Sequence, residues 1–240
     1  MKTELTTPNS TAVQDGGNHH PTTSQARPAA KRPSSPGLKA IDSILWRLEA
    51  RRAGEKSLVL GVTSCGAKAG ATTVATNLAL CAGSQQSRRV LLIDATGCSR
   101  RNRKRGGGPE PGLWDILSGD VSPRECEPAA IAENVFALGA GTSARDAVRV
   151  NSQLVAEMLD EFRSQYVAVI VDLPPAEALG SALPLAKQLS GVILVVCSEK
   201  TSQWEAQRAL EQLAEDRVPV HGTVLNQHRN HVPSWLRRWF

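Results

Sequence analysis

The chain has 240 residues, 41% hydrophobic and 21% charged, with a formal net charge of +5. That is room for one α/β domain of ordinary size, or two small ones, with polar appendages. The longest apolar runs, VLGV, VAVIV and GVILVVC, stop well short of the roughly 20 residues a membrane span requires, and MKTELTTPNS lacks the apolar stretch of a secretory signal. A cytoplasmic protein is expected. The five cysteines, Cys65, Cys81, Cys98, Cys126 and Cys197, form no CxxC pair, so neither a zinc site nor a disulfide framework is expected.

Residues 1–36 are rich in Thr, Ser, Pro, Gly and Asn and nearly devoid of large apolar side chains. Such a segment cannot bury enough surface to offset its ordering entropy, and it reads as a disordered tail. His19 and His20 stand alone there and do not make a metal tract. Over 37–55 the recurrence of Leu38, Ile41, Leu45 and Leu48 predicts an amphipathic helix.

The rest, 56–240, reads as one domain. Short apolar runs alternate with helical patterns: SLVLGVT then TTVATNLALCAG, RVLLIDA then a basic glycine loop, NVFALGA then SQLVAEMLDEFRSQ. VAVIVDL, GVILVVC and PVHGTVLN follow as strands, with EALGSALPLAKQL and SQWEAQRALEQLAE expected as helices between them. Continuous β-branched strands joined by helical crossovers predict an α/β fold, a mostly parallel sheet with helices on both faces, whose ligands lie at the carboxyl ends of the strands.

The net charge is local. SRRNRKR carries Arg100, Arg101, Arg103, Lys104 and Arg105, which account for the whole excess. Such a cluster reads as a solvated loop or as a contact for an anionic membrane surface, and nucleic acid is not expected, because no aromatic residue interleaves the charges to stack on bases. Trp235, Trp239 and Phe240 beside Arg237 and Arg238 suit either a membrane interface or a C-terminal helix packed on its own domain.

Between the first strand and its helix, GVTSCGAKAGATTVATNLAL forms a loop of small residues, including Gly66, Lys68 and Gly70. Such a loop lets backbone N–H groups converge on a phosphate at a helix N-terminus, where the helix dipole also favours negative charge. Against the P-loop pattern GxxxxGK[ST], Gly70, Thr72 and Thr73 are in place, but Ala71 occupies the lysine position. The loop reads equally as a strand-to-helix turn kept small for packing.

GATTVATNLAL, VLLIDA, PGLWDILSG, ENVFALGAG, YVAVIVDLPP, LAKQLSGVILVV and PVHGTVLNQ, in this order across 57–236, resemble the cytoplasmic kinase domain of bacterial tyrosine kinases, relatives of the MinD and ParA P-loop ATPases. The resemblance implies ATP and Mg2+ as cofactors. It assigns Asp94 and Asp172 as catalytic carboxylates, the latter as Walker B residue, and Thr72, Asp94 and Asp172 as Mg2+ ligands. Gly66, Lys68, Gly70, Ala71, Thr72 and Thr73 fall on the phosphate loop, and Asn226 matches the asparagine set against the adenine. The implied process is exopolysaccharide or capsule synthesis. The implied partners are a separate membrane protein that regulates polysaccharide chain length, with the domain recruited to the inner face of the membrane, and further copies of the chain.

The chain also departs from that family. Ala71 removes the phosphate lysine, Thr96 replaces the second acidic residue of a DxD, and Leu173 replaces the usual Thr before the double proline. The oligomerisation pattern ExxRxxR survives only as Glu49, Arg52 and then Glu55, and HVPSWLRRWF holds no tyrosine. These losses point to a kinase-like protein whose nucleotide binding outlasts its catalysis. The rival reading is a positioning or partitioning ATPase of the MinD/ParA kind, binding membrane or DNA.

Overall fold

The computed structural model describes residues 36–50, 57–85, 89–97, 110–143, 145 and 148–227. The tail up to residue 35, the stretch 51–56, the basic residues 100–105 and the segment HVPSWLRRWF lie outside them.

Among the described residues seven strands form one sheet: β1 Leu58–Ser64, β2 Val90–Asp94, β3 Ala129–Ala132, β4 Val135–Leu138, β5 Ala168–Asp172, β6 Gly191–Cys197 and β7 Val220–Asn226. Their spatial order is β3-β4-β2-β5-β1-β6-β7, and every pairing is parallel except β3 with β4. β1, β5 and β6 are buried along their whole length, as continuous Val, Leu and Ile runs require of strands covered on both faces.

The helices are α1 Pro36–Ala50, α2 Ala71–Gln85, α3 Leu113–Ser118, α4 Ser152–Gln165, α5 Leu183–Ala186 and α6 Gln203–Glu215. Two apolar clusters separate them by face. On one side Ile41, Leu45 and Leu48 of α1 and Val74 and Leu78 of α2 pack over Leu60, Ile170 and Ile193. On the other, α3, α4, α5 and α6 enclose Val59, Leu91, Val169 and Leu194 around the fully buried Trp114.

The helix expected over EALGSALPLAKQL is instead broken into two single 3-10 turns, Ala176–Ala178 and Gly180–Ala182, followed by the one turn of α5. Gly180 takes φ +47 at the break and Pro184 lies in the first turn of α5, so the backbone there does not sustain one uninterrupted α-helix. Strand β3, AAIA, was not expected. Its alanines carry weak strand preference, and it forms only by pairing antiparallel with β4 at the sheet edge.

Candidate functional site

The loop Cys65–Gly70 leaves β1 at its carboxyl end and delivers the chain into α2. Two of its residues have left-handed backbone, Lys68 at φ +63 and Gly70 at φ +95. A Cβ at position 70 would also press on Asn226 Nδ2 and force that side chain to move. The first helical bond of α2 runs from Val74 N–H to the Gly70 carbonyl at 3.0 Å, so the amides of Ala71, Thr72 and Thr73 lack an intrahelical acceptor. Thr72 and Thr73 are exposed, and no acidic residue lies in this first turn to offset the dipole. Ala71 is buried against the α2 side of the core.

The two aspartates are brought side by side. Asp94 closes β2 and Asp172 closes β5, and they are register partners on neighbouring strands. Asp172 is also in register with Val62 of β1, which places it beside the strand that feeds the loop. Asp172 is 4% exposed. Asp94 is half-buried, and its Oδ1 accepts both from Thr96 N–H at 2.9 Å and from the Thr96 hydroxyl at 2.6 Å. Thr96 thus supplies a donor where a second carboxylate would repel Asp94. The turn after Asp172 is anchored as well, since the buried Thr63 hydroxyl donates to the Pro174 carbonyl at 2.7 Å.

Asn226, at the end of β7, lies against the loop. Its Nδ2 donates to the Ala69 carbonyl at 2.9 Å. Gly66 is half-buried and Lys68 exposed. At the mouth of the loop, burial and then the nearby Glu205 carboxylate push the Cys65 thiol up, so it stays protonated and is a poor nucleophile. The arrangement gathers backbone donors and two carboxylates at the carboxyl ends of β1, β2, β5 and β7. Its donors suit a phosphate and its carboxylates a hard cation.

Sequence reasoning passed over Asp115. Its Oδ2 accepts from the N–H groups of Gly112 and Thr142, both at 2.8 Å, and its Oδ1 from the Thr142 hydroxyl at 2.6 Å and from Ser143 N–H and hydroxyl at 2.9 and 2.8 Å. This 3%-exposed carboxylate staples the start of α3 to the turn after β4. Burial opposes its ionisation, but the donors of Thr142, Gly112 and Ser143 outweigh that and hold its pKa down to about 2. The one legible signal was an acidic residue three positions after Gly112 at a helix start.

No family model matches the chain. Among curated proteins it is 30% identical over 205 residues to EpsB of Ralstonia solanacearum, a match covering 82% of this chain and 26% of EpsB. It is 27% identical over 203 residues to tyrosine-protein kinase wzc of Salmonella typhi, covering 82% and 28% of the two chains. Tyrosine-protein kinase CpsD of Streptococcus pneumoniae is 28% identical over 181 residues, covering 72% of this chain and 78% of its own. The chain therefore spans about a quarter of the first two relatives. Among solved structures, the kinase domain of Escherichia coli tyrosine kinase ETK superposes with a TM-score of 0.67 at 19% identity, covering 85% of this chain and 82% of that domain. MinD of Pyrococcus horikoshii, complexed with Mg-ADP, superposes at 0.57 and 20% identity, covering 75% of each chain. The chain is a homologue of the bacterial tyrosine-protein kinases, built on the mostly parallel sheet that their kinase domains share with the MinD/ParA-like P-loop ATPases.

Proposed function

We propose that this chain is a tyrosine-kinase-like P-loop domain that binds ATP with Mg2+, has weak or lost phosphoryl transfer, and serves exopolysaccharide or capsule synthesis. In this role it works in the cytoplasm and docks at the inner face of the membrane on a separate protein that sets polymer length. What carries the reading is the convergence of the loop Cys65–Gly70, the first amides of α2, which have no intrahelical acceptor, and the register pair Asp94 and Asp172 at one end of the sheet. The amides of residues 71–73 orient the phosphates, and Thr72, Asp94 and Asp172 are the groups that would hold Mg2+. When bound there, the cation neutralises charge on the β- and γ-phosphates.

Magnitudes separate binding from turnover. The missing lysine removes charge-assisted contacts worth about 1.5–3 kcal/mol, which backbone donors and a cation can offset. A donor aimed at transition-state charge is worth roughly 10²- to 10³-fold in rate, and Thr96 replaces an acidic group as well. Incubation of the purified chain with Mg2+ and ATP is expected to release ADP no faster than a buffer control. Hydrolysis or transfer at the rate of an intact kinase, about 1 s⁻¹ or more, contradicts the loss of catalysis. In the source organism, deleting the chain is expected to shift the size distribution of the secreted polysaccharide. An unchanged distribution contradicts the assigned process.

A further inference from the structure

The last strand reaches the phosphate loop through a second amide. Gln227 Nε2 donates to the Lys68 carbonyl at 3.1 Å, and Gln227 Oε1 accepts from the Cys197 thiol at 3.2 Å. Cys197 is buried at the end of β6, with its own N–H held by the Thr201 hydroxyl at 3.2 Å. One end of the Gln227 amide is therefore tied to the sheet and the other to the loop.

Lys68 and Gln227 both take left-handed backbone, at φ +63 and +58. Side-chain-bearing residues hold that conformation only when surrounding contacts fix it. The backbone state of Lys68 decides on which side of the loop its Cα–Cβ bond leaves, and hence where its ammonium can reach. That matters here because Lys68 is the one lysine between β1 and α2, while Ala71 stands at the P-loop lysine position.

We propose that Gln227 is a positioning residue of the phosphate loop: by pinning the Lys68 carbonyl it fixes the left-handed state from which Lys68 supplies the phosphate-directed cation that Ala71 cannot. The proposal rests on the nucleotide-binding reading above. Under it, Gln227 touches no nucleotide and acts only through Lys68, so the two residues form one unit.

The test is a double-mutant cycle on the full chain, read by titration with a fluorescent ATP analogue in the presence of Mg2+. Lys68→Ala is expected to weaken affinity about tenfold or more and Gln227→Ala about three- to tenfold, both with melting temperatures near the parent's. The double variant should bind no more weakly than Lys68→Ala alone. Gln227→Met, which keeps the volume and removes the donor, serves the same comparison should Gln227→Ala fold poorly. Amide exchange over residues 65–71 should quicken in both Gln227 variants. Additive losses, or an affinity untouched by either Gln227 variant in a parent that binds, overturn the proposal while leaving the nucleotide site standing. A parent that binds no nucleotide overturns both.

Discussion

Ala71 and Asp115 mark what single residues decide here. Ala71 is buried where α2 opens, beside Gly70 and the exposed Thr72, and on the nucleotide-binding reading proposed above it stands at the P-loop lysine position. Ala71→Lys is expected to tighten ATP-analogue binding by about 1.5–3 kcal/mol, roughly ten- to hundredfold, with stronger dependence on Mg2+. Thr72→Ala should abolish the gain, and hydrolysis should recover less than binding because Thr96 still occupies the second acidic position. Unchanged affinity in a folded variant would mean the loop does not follow a P-loop path. Asp115 acts on stability instead. Its carboxyl is held down to about 2 from an ordinary 3.8, so the charged form stabilises the fold by about 2 kcal/mol above pH 4. That contribution falls as pH drops from about 4 towards 2, because the unfolded chain takes up the proton first. Asp115→Asn presents an N–H to donors that need an acceptor and is expected to cost about 2–4 kcal/mol at pH 7. Urea unfolding at pH 7 and pH 3 should find the gap between parent and variant narrowing at the lower pH. A constant gap would show that the charge is not what the donors hold.

Among elements, legibility followed the strength of the hydrophobic pattern. β1, β2, β4, β5, β6 and β7 could be read because their apolar runs are bounded by polar or glycine-containing turns, and α4 coincides with SQLVAEMLDEFRSQ. EALGSALPLAKQL misled because its leucines recur at helical spacing while Gly180 and Pro184 interrupt the backbone they would need. β3 was invisible because an alanine-rich edge strand has no pattern of its own. In α1 the spacing of Ile41, Leu45 and Leu48 does correspond to burial against α2 and the sheet. Leu45 is 2% exposed, while the adjacent Trp46 is 71% exposed. Leu45→Ala is accordingly expected to cost about 2–5 kcal/mol and Trp46→Ala less than about 0.5 kcal/mol, measured by chemical denaturation. A loss for Trp46→Ala comparable with that for Leu45→Ala would mean that the helix buries its other face in solution, against another molecule.

For the molecule as a whole, motifs single out segments of the chain but do not show how those segments are fastened together. The strand-end aspartates, the glycine loop and Asn226 were all named from their motifs. The bonds from Asn226 and Gln227 to the loop join residues 157 and 159 positions apart, a closeness that follows only from β1 and β7 both flanking β6. The same global packing governs Tyr166, the only tyrosine. It is 3% exposed, edge-on to Phe136 and Phe162, with the Arg89 guanidinium 5.0 Å from its ring. Phosphopeptide mapping after incubation with Mg2+ and ATP should therefore find no phosphotyrosine, and its presence at Tyr166 would require β5 to open. The central claim, that a phosphate loop without its lysine still holds nucleotide, is tested most directly by titrating the purified chain with a fluorescent ATP analogue with and without Mg2+. Saturable binding that weakens when Mg2+ is withdrawn, and weakens likewise in Asp172→Asn, is the expected result. No saturable binding under either condition by a folded chain contradicts the account.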